Sequence, residues 1–331
     1  MGKITAKTKF ADIQKLPGIE PFKDFILRGD FWIGDILPHL TPDYFTGRGE
    51  DIVYGLNKLN EQGEKGVKPI FLYESPYDDK RKATVNIIPF SVEGGEKRPY
   101  ALVIPGGGFY STYSTTEGFP IAAKLNEMGY SAFILSHQIG GVGLMPRPLE
   151  DVSEALKYID SHAAELHASP HDYFALGFSA GAVVDALWGT KEAGYEKYGQ
   201  ARPRALFTVY GPINKRKNPS TNQRAAEENM IRCYGIFPDG MEIEGITTKP
   251  LYADDLVDAD YPPSYIAGCM DDELVSPNHW YGLKEALDKA GVPAVLDIGE
   301  QGKHGFGLGT GTSMEGWLER AVIFMNEQQP E

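Results

Sequence analysis

Short apolar runs alternate with longer stretches of helical periodicity through the centre of the chain. This alternation is typical of β-α-β units, which build a parallel sheet with helices on its faces. The pattern therefore predicts an α/β fold with a mainly parallel central sheet flanked by helices. The predicted strands are Ile70–Tyr73, Ala83–Ile88, Ala101–Ile104, Ser131–Leu135, Tyr173–Gly177, Ala205–Val209, Ser264–Gly268 and Ala294–Ile298.

Apolar residues at spacings of three and four predict helices between these strands. Leu149, Val152, Leu156 and Ile159 recur in this way, which places them on one face of a helix. That helix is expected to follow Pro148, the second proline of a Pro-Arg-Pro segment. Further helices, each beside a Gly or Pro boundary, are predicted over Ile121–Met128, Ala180–Trp188, Trp280–Ala290 and Glu315–Asn326.

The pattern changes at the N-terminus and after the sixth predicted strand. Residues 1–65 mix prolines with short helical patterns, which predicts an irregular, partly helical arm before a single domain at 66–331. The arm is too apolar to remain in solvent, so we expect it to pack on the main domain or on a neighbouring subunit, which leaves a homo-oligomer open. Apolar side chains of the arm include Phe22, Phe25, Phe31, Trp32 and Ile33.

The segment 211–260 is longer than a usual connection between a strand and a helix, and it predicts an insertion over the functional site.

Charge narrows the range of partners. The chain has 331 residues, with 46 acidic against 32 basic side chains and a net charge of −14. Such a field repels nucleic-acid backbones and anionic lipid surfaces. No run approaches the ~18 apolar residues that are needed to cross a bilayer. Nucleic acid and membrane are therefore not expected as partners.

The cysteines and the first residues bear on the compartment. Cys233 and Cys269 lie far apart in segments of different character, which does not suit a disulfide framework. The N-terminal residues lack the apolar core of a secretory signal. The sequence therefore predicts a reducing, cytoplasmic location.

The strongest local signal is the segment Gly177-Phe178-Ser179-Ala180-Gly181, which follows an apolar run and precedes a helical one. This is a G-x-S-x-G elbow in the context that it requires, between a strand and a helix. Small neighbours let the Ser179 hydroxyl project from a strained turn, and the helix N-terminus behind it favours developing negative charge. Ser179 is therefore the candidate nucleophile, although the pattern alone also suits a serine that only caps the helix.

A second signal is the glycine-rich segment 105–109, Pro-Gly-Gly-Gly-Phe, which directly follows a predicted strand. Such a loop exposes backbone N–H groups. In acyl transfer, preorganised N–H donors stabilise the oxyanion by about 3 kcal/mol each. The amides of Gly107, Gly108 and Ala180 are therefore the candidate oxyanion hole.

Neither an organic cofactor nor a metal is expected. The glycine loop does not complete the dinucleotide-binding pattern G-x-G-x-x-G, because Tyr110 or Ser111 stands where the last glycine is required. His162, His167 and His171 are too widely spaced for a compact metal site, and no cysteine or paired acidic ligand accompanies them.

The third signal is an acid and a histidine after the last two predicted strands. A serine hydroxyl needs a neutral imidazole to take its proton, and that imidazole needs a carboxylate to orient it. His304 lies among glycines after the last strand, and the chain order Ser, Asp, His is the order used by α/β-hydrolases. A D-x-x-V pattern that ends at Val275 favours Asp272 as the acid, with Asp271 as the alternative.

Taken together, these segments resemble the bacterial α/β-hydrolases related to acetyl esterases and to the esterase/lipase branch around hormone-sensitive lipase. The resemblance implies the α/β-hydrolase fold, a Ser179–His304–Asp272 triad and an acyl-enzyme intermediate, and it implies that no organic cofactor or metal takes part. The chain departs from the pattern at Pro105, where lipase relatives often carry histidine. The matching stretches are PGGGF at 105–109, PLEDVSEAL at 148–156, GFSAGA at 177–182, PPSYIAGCMDDELV at 262–275 and GKHGFGLG at 302–309.

The motifs and the resemblance predict a serine carboxylesterase that hydrolyses small acyl esters, and fold-level analogy alone extends this to acetyl esters of carbohydrates. Two alternatives stay open. A serine peptidase of the prolyl-oligopeptidase type shares the fold and the triad order, but such enzymes usually add a propeller or similar gating domain, for which about one hundred residues do not suffice. A non-catalytic hydrolase fold used for binding is disfavoured because every triad position is present.

Overall fold

The structure, a computed structural model, describes residues 3–29, 36–45, 47–73, 84–213, 232–234 and 250–328. The strands in these residues form one large sheet and one small sheet. In chain order they are β1 (Arg28–Gly29), β2 (Ile70–Phe71), β3 (Asn86–Phe90), β4 (Tyr100–Ile104), β5 (Ser111–Thr112), β6 (Ala132–Ser136), β7 (Tyr173–Phe178), β8 (Leu206–Val209), β9 (Ser264–Cys269) and β10 (Ala294–Gly299).

The large sheet has eight strands in the order β10-β9-β8-β7-β4-β6-β3-β2. Neighbouring strands in the run β10-β9-β8-β7-β4-β6 are parallel. The strand β3 is antiparallel to both of its neighbours, β6 and β2. Every residue of β4 and β7 is buried, because a mainly parallel sheet is covered on both faces. The predicted sheet is confirmed, because each of its predicted strands has a counterpart here. Ala83, the expected first residue of the second predicted strand, lies outside the described residues.

Helices cover the sheet and connect its parallel strands. They are α1 (Phe10–Ile13), α2 (Gly49–Glu64), α3 (Ser114–Glu117), α4 (Phe119–Glu127), α5 (Arg147–Ser161), α6 (Ala180–Trp188), α7 (Ala253–Leu256), α8 (Asn278–Ala290) and α9 (Trp317–Glu327), with short 3-10 turns at Glu20–Phe25, Leu37–His39, Pro42–Tyr44 and Gly95–Lys97.

The helix α5 begins earlier than the sequence predicts. It includes Pro148, after which it was expected to start. A proline is compatible with the first helical turn, because the N–H that it lacks would have no partner there. The expected apolar face is present: Leu149, Val152, Leu156 and Ile159 are all buried.

The N-terminal arm is more regular than predicted, since α2 is a continuous helix of 16 residues. Ile52, Leu56 and Leu59 recur at spacings of four and three, are fully buried and belong to the same hydrophobic cluster as the sheet. The helix packs on α4. Three glycines and two asparagines lower its intrinsic helix propensity, and tertiary packing outweighs that preference.

A small sheet joins the arm to the segment after the glycine loop. In it, β1 pairs antiparallel with β5, with Arg28 opposite Thr112. The buried Arg28 guanidinium donates to the Ser136 hydroxyl at 2.9 Å and to the His137 carbonyl at 3.2 Å, at the end of β6. Strands of two residues carry no periodicity, so the sequence does not predict this pairing.

Some sequence predictions fall on residues that the structure does not describe. Phe31, Trp32 and Ile33 of the arm are among them, as is most of the insertion expected at 211–260. Cys233 and Cys269 are both free and buried. Within the described ranges, every helix is too short or too polar to cross a lipid bilayer.

The packing of α2 predicts that the arm contributes to global stability. Leu56→Ala removes a fully buried side chain from the α2 face and should lower the free energy of unfolding by about 2–5 kcal/mol. Ile323→Ala is the control, because this side chain on α9 is 57% exposed; it should change stability by less than about 0.5 kcal/mol. Urea unfolding followed by circular dichroism measures the stability of both variants. If Leu56→Ala lowers the free energy of unfolding no more than Ile323→Ala does, the arm is not part of the cooperatively folding core.

Candidate active site

Ser179 occupies a sharp turn between β7 and α6. Its φ is 50°, in the left-handed region that a residue with a side chain adopts at a cost of about 1–3 kcal/mol. Its N–H donates to the Val209 carbonyl at 3.0 Å, which anchors the turn to the end of β8. A Cβ atom on Gly181 would lie 2.1 Å from the Ile104 carbonyl oxygen, so only glycine lets α6 approach β4 this closely.

His304 connects Ser179 to Asp272. The Ser179 Oγ lies 2.8 Å from His304 Nε2, and His304 Nδ1 lies 2.8 Å from Asp272 Oδ2. An ionised carboxylate can only accept, so Nδ1 carries the proton and Nε2 is left to accept from the serine hydroxyl. The Asp272 side chain is fully buried and that of His304 is 18% exposed. Residues more than 120 positions apart are thereby joined in one hydrogen-bonded chain.

The two adjacent aspartates have different partners. Asp272 Oδ1 accepts from the N–H groups of Leu274 and Val275, both at 2.8 Å, which leaves its other oxygen for His304. Asp271 instead accepts from the N–H of Gly302 at 3.0 Å and from that of Lys303 at 2.8 Å. The carboxylate that touches His304 is therefore that of Asp272, whereas Asp271 holds the loop that carries the histidine.

The glycine loop directs its amides away from the body of the loop. The Gly106 and Gly107 carbonyls accept hydrogen bonds from backbone N–H groups further along the chain, at 3.0–3.1 Å. A trans peptide points its N–H opposite to its C=O, so the amides of Gly107 and Gly108 face away from those bonds. Gly107, Gly108 and Ala180 all line the cavity that contains Ser179. Ala180 is the first residue of α6, where an N–H has no partner within the helix.

Only glycine suits the central position of this loop. Gly107 has a φ of 126°, and a Cβ atom there would lie 2.3 Å from the Ser111 carbonyl oxygen. A side chain would therefore displace the loop. The structure brings the three predicted oxyanion donors to the same cavity wall as the predicted nucleophile.

The cavity in front of Ser179 has a volume of about 370 Å³. Its remaining wall is mostly aromatic and apolar, so it suits an uncharged acyl or alcohol group. The lining side chains include Phe45, Tyr110, Tyr113, Leu274 and Val275. Of the expected insertion, Pro212 reaches this wall within the described residues.

Three polar side chains at the site are not predicted from the sequence: Arg48, Glu117 and Tyr210. The Arg48 guanidinium donates to the His304 carbonyl and lines the cavity. The buried Glu117 carboxylate also lines it and accepts a hydrogen bond from the Tyr210 hydroxyl at 3.1 Å. Each is a single residue in a segment without a motif, so no local signal identifies it.

No group of three His, Cys, Asp or Glu side chains is placed to hold a metal within the described ranges. The arrangement around Ser179 suits nucleophilic chemistry: a hydroxyl is bonded to a base, a buried carboxylate lies behind the base, and backbone donors line the same cavity.

The protein-family model BD-FAE matches residues 88–287, which is more than half of the chain. The chain is also similar to the acetylxylan esterase of Xylanibacter ruminicola, with 28% identity over 236 residues that cover 70% of this chain and 45% of that protein. The chain spans less than half the length of the curated relatives that it matches.

Solved structures resemble about four fifths of the chain. An acetyl ester-xyloside bifunctional hydrolase from Caldicellulosiruptor lactoaceticus superposes with a TM-score of 0.61 at 24% identity, over 78% of this chain and 96% of that one. An α/β-hydrolase from a Medee basin deep-sea metagenome library superposes with a TM-score of 0.57 at 23% identity, over 79% and 96%. These similarities confirm that the chain has the α/β-hydrolase fold.

A buried histidine near Asp272 predicts a pH dependence of stability. His279 on α8 is 3% exposed, and burial lowers its pKa to about 4, against the opposing attraction of Asp272. The unfolded chain takes up this proton near pH 6.5, whereas the folded protein does so only near pH 4. Between pH 7 and pH 5, His279 should therefore reduce the free energy of unfolding by on the order of 2 kcal/mol.

Urea unfolding at pH 7 and pH 5 measures this contribution. His279→Gln should lose less stability between the two pH values than the wild type does. His39→Gln, at an exposed position, should lose as much as the wild type. An equal loss in all three proteins would contradict the assignment of the pH dependence to His279.

Proposed function

Since the chain belongs to the BD-FAE family, we propose that it is a serine carboxylesterase that hydrolyses small acyl esters through an acyl-enzyme intermediate, with acetyl esters of carbohydrates as the favoured substrates. The observation that carries this proposal is the hydrogen-bonded chain from Ser179 through His304 to Asp272, which opens onto a cavity beside the glycine loop.

The first half of the reaction transfers the acyl group to Ser179. His304 Nε2 lies 2.8 Å from the Ser179 Oγ and takes its proton as the oxygen attacks the ester carbonyl. Asp272, bonded to Nδ1, orients the imidazole and stabilises the imidazolium that forms. The imidazolium then donates its Nε2 proton to the leaving alcohol oxygen.

The amides of Gly107, Gly108 and Ala180 stabilise the oxyanion of the tetrahedral intermediate. Backbone donors of this kind contribute about 3 kcal/mol each, because they are already oriented before charge develops. The positive end of the α6 dipole lies directly behind Ser179 and acts in the same direction.

The second half of the reaction releases the acid. His304 accepts a proton from a water molecule, which attacks the acyl carbon, and then returns the proton to the Ser179 oxygen as the ester bond breaks. The proposed cycle needs only water and the protein's own groups.

Two observations support the substrate class. The cavity of about 370 Å³ has a mainly aromatic and apolar wall, which suits an uncharged acyl ester. An acetylxylan esterase is among the relatives of the chain, and one structural neighbour is an acetyl ester-xyloside hydrolase. Acetylated xylo-oligosaccharides are therefore the first carbohydrate esters to test.

A substrate panel separates this proposal from its alternatives. The protein should hydrolyse p-nitrophenyl acetate and release acetate from acetylated xylo-oligosaccharides, and it should leave aminoacyl p-nitroanilides uncleaved. Cleavage of the anilides alone would identify a peptidase instead. Release of nitrophenol without release of acetate from the oligosaccharides would remove the carbohydrate part of the proposal.

Ser179→Ala should abolish the hydrolysis of p-nitrophenyl acetate, with a loss of at least about 10³-fold in kcat, because the attacking oxygen is gone. It should also abolish labelling by a fluorophosphonate probe. Ser161→Ala, at an exposed serine on α5, is the control and should keep both properties. A folded wild-type protein that the probe does not modify would refute the enzyme hypothesis.

The two aspartates should differ in their importance for catalysis. Asp272→Asn removes the carboxylate that fixes the His304 tautomer, so kcat should fall by about 10³–10⁴-fold. Asp271→Asn keeps an oxygen that can accept from the Gly302 and Lys303 amides, so the loss should stay below about 10-fold. Steady-state kinetics with p-nitrophenyl acetate measures both, and an equal loss in the two variants would contradict this assignment.

A further inference from the structure

Glu117 is a buried carboxylate in the wall of the proposed active site. It is the last residue of α3, has an exposure of 5% and lines the same cavity as Ser179 and His304. Burying a charge is costly unless hydrogen bonds compensate for it. The reaction described above gives this carboxylate no role.

Each oxygen of Glu117 accepts a hydrogen bond from a different loop of the site. Oε2 accepts from the Gly106 N–H at 2.8 Å, and Gly106 directly precedes the proposed oxyanion donor Gly107. Oε1 accepts from the Tyr210 hydroxyl at 3.1 Å. The carboxylate thus contacts the glycine loop on one side and the segment after β8 on the other.

Tyr210 extends the connection to the histidine. Its ring packs edge-on against the His304 ring, with the centroids 5.0 Å apart. Its hydroxyl also accepts from the Gly307 N–H at 3.4 Å, in the same loop as His304. A continuous path of contacts therefore runs from Gly106 through Glu117 and Tyr210 to the histidine loop.

The charge of Glu117 also acts on this region. Burial raises the pKa of Glu117, and the Gly106 amide, the charge of His304 and the Tyr210 hydroxyl oppose that rise. Both oxygens accept from donors, which is the pattern of the ionised form. Among the described residues, charged and titratable groups approach His304 from four elements: Asp272 from the loop after β9, Arg48 from the residue before α2, Glu117 from α3 and Tyr210 from the residue after β8.

We propose that Glu117 is a positioning residue that holds the oxyanion loop and the histidine loop in register, and that its negative charge favours the imidazolium formed in the transition state. This inference rests on the proposed function. The oxyanion donors stabilise the transition state more than the bound substrate, because the negative charge on the substrate oxygen develops only in the transition state. Loss of the Glu117 contacts that align these donors should therefore reduce kcat more than it changes KM.

Glu117→Gln tests the inference, because glutamine has the same shape but lacks the charge and has only one oxygen to accept with. With p-nitrophenyl acetate, kcat should fall by about 10- to 100-fold, since small displacements of catalytic groups cost about that much, and KM should change by less than about threefold. The ascending limb of the kcat/KM profile should move to lower pH by roughly 0.5–1 unit, because the imidazolium loses a favourable neighbour.

Asp51→Asn is the matched control. Asp51 is also a buried carboxylate, and it joins α2 to the C-terminal loop by accepting from the Thr310 hydroxyl at 2.6 Å, but it does not line the cavity. This variant should keep the wild-type kcat and pH profile even where its melting temperature falls. An Asp51→Asn variant that loses as much kcat as Glu117→Gln would overturn the inference, since any buried carboxylate would then have the same effect.

Tyr210→Phe keeps the test decisive if Glu117→Gln does not fold. It removes the hydroxyl that bonds Glu117 and leaves the ring against His304, so kcat should fall by about 3- to 10-fold with KM unchanged. If the wild type is active and the folded variants keep its kcat and pH profile, the inference about Glu117 is overturned while the proposed function stands. A folded wild type without esterase activity would instead refute the proposed function, and this inference with it.

Discussion

The turn that holds Ser179 at a positive φ is the constraint on which the rest of the site depends. A serine adopts this backbone conformation only where its surroundings determine it. Here they do so from two sides: the Ser179 N–H is bonded to the end of β8, and Gly181 lets α6 lie directly against the end of β4. The strain is therefore held by the packing of the sheet core, and the hydroxyl and the α6 N-terminus are presented together at one point.

The parallel topology brings the other groups to the same point. Since β4, β7, β8, β9 and β10 pair in parallel, their carboxyl ends meet at one edge of the sheet, where the loops of α/β proteins form binding sites. The glycine loop follows β4, Tyr210 follows β8, Asp272 follows β9 and His304 follows β10. The direction and the order of the strands thus bring groups that are distant along the chain to one edge of the sheet.

Carboxylates bonded to backbone amides then fix these loops. Asp272 accepts from the amides of its own loop, Asp271 accepts from those of the histidine loop, and Glu117 accepts from the Gly106 amide. Hydrogen bonds to charged groups contribute about 1.5–3 kcal/mol each, enough to hold a loop in one conformation. The arm adds the same kind of support from outside the sheet, through the bond from Arg48 to the His304 carbonyl.

By itself, the sequence determined the parallel sheet and the segments from which the candidate site is built, because apolar runs and the glycine, serine and histidine motifs that follow them are local patterns. It did not determine which of two neighbouring aspartates meets His304, since that depends on the direction each side chain takes in the folded loop. It also did not reveal the helix α2 or the hydrogen bonds that Arg48 and Glu117 make at the site. Arg48 lies 256 positions from its partner His304. Such contacts are formed only when distant segments pack together, so only the tertiary structure decided them.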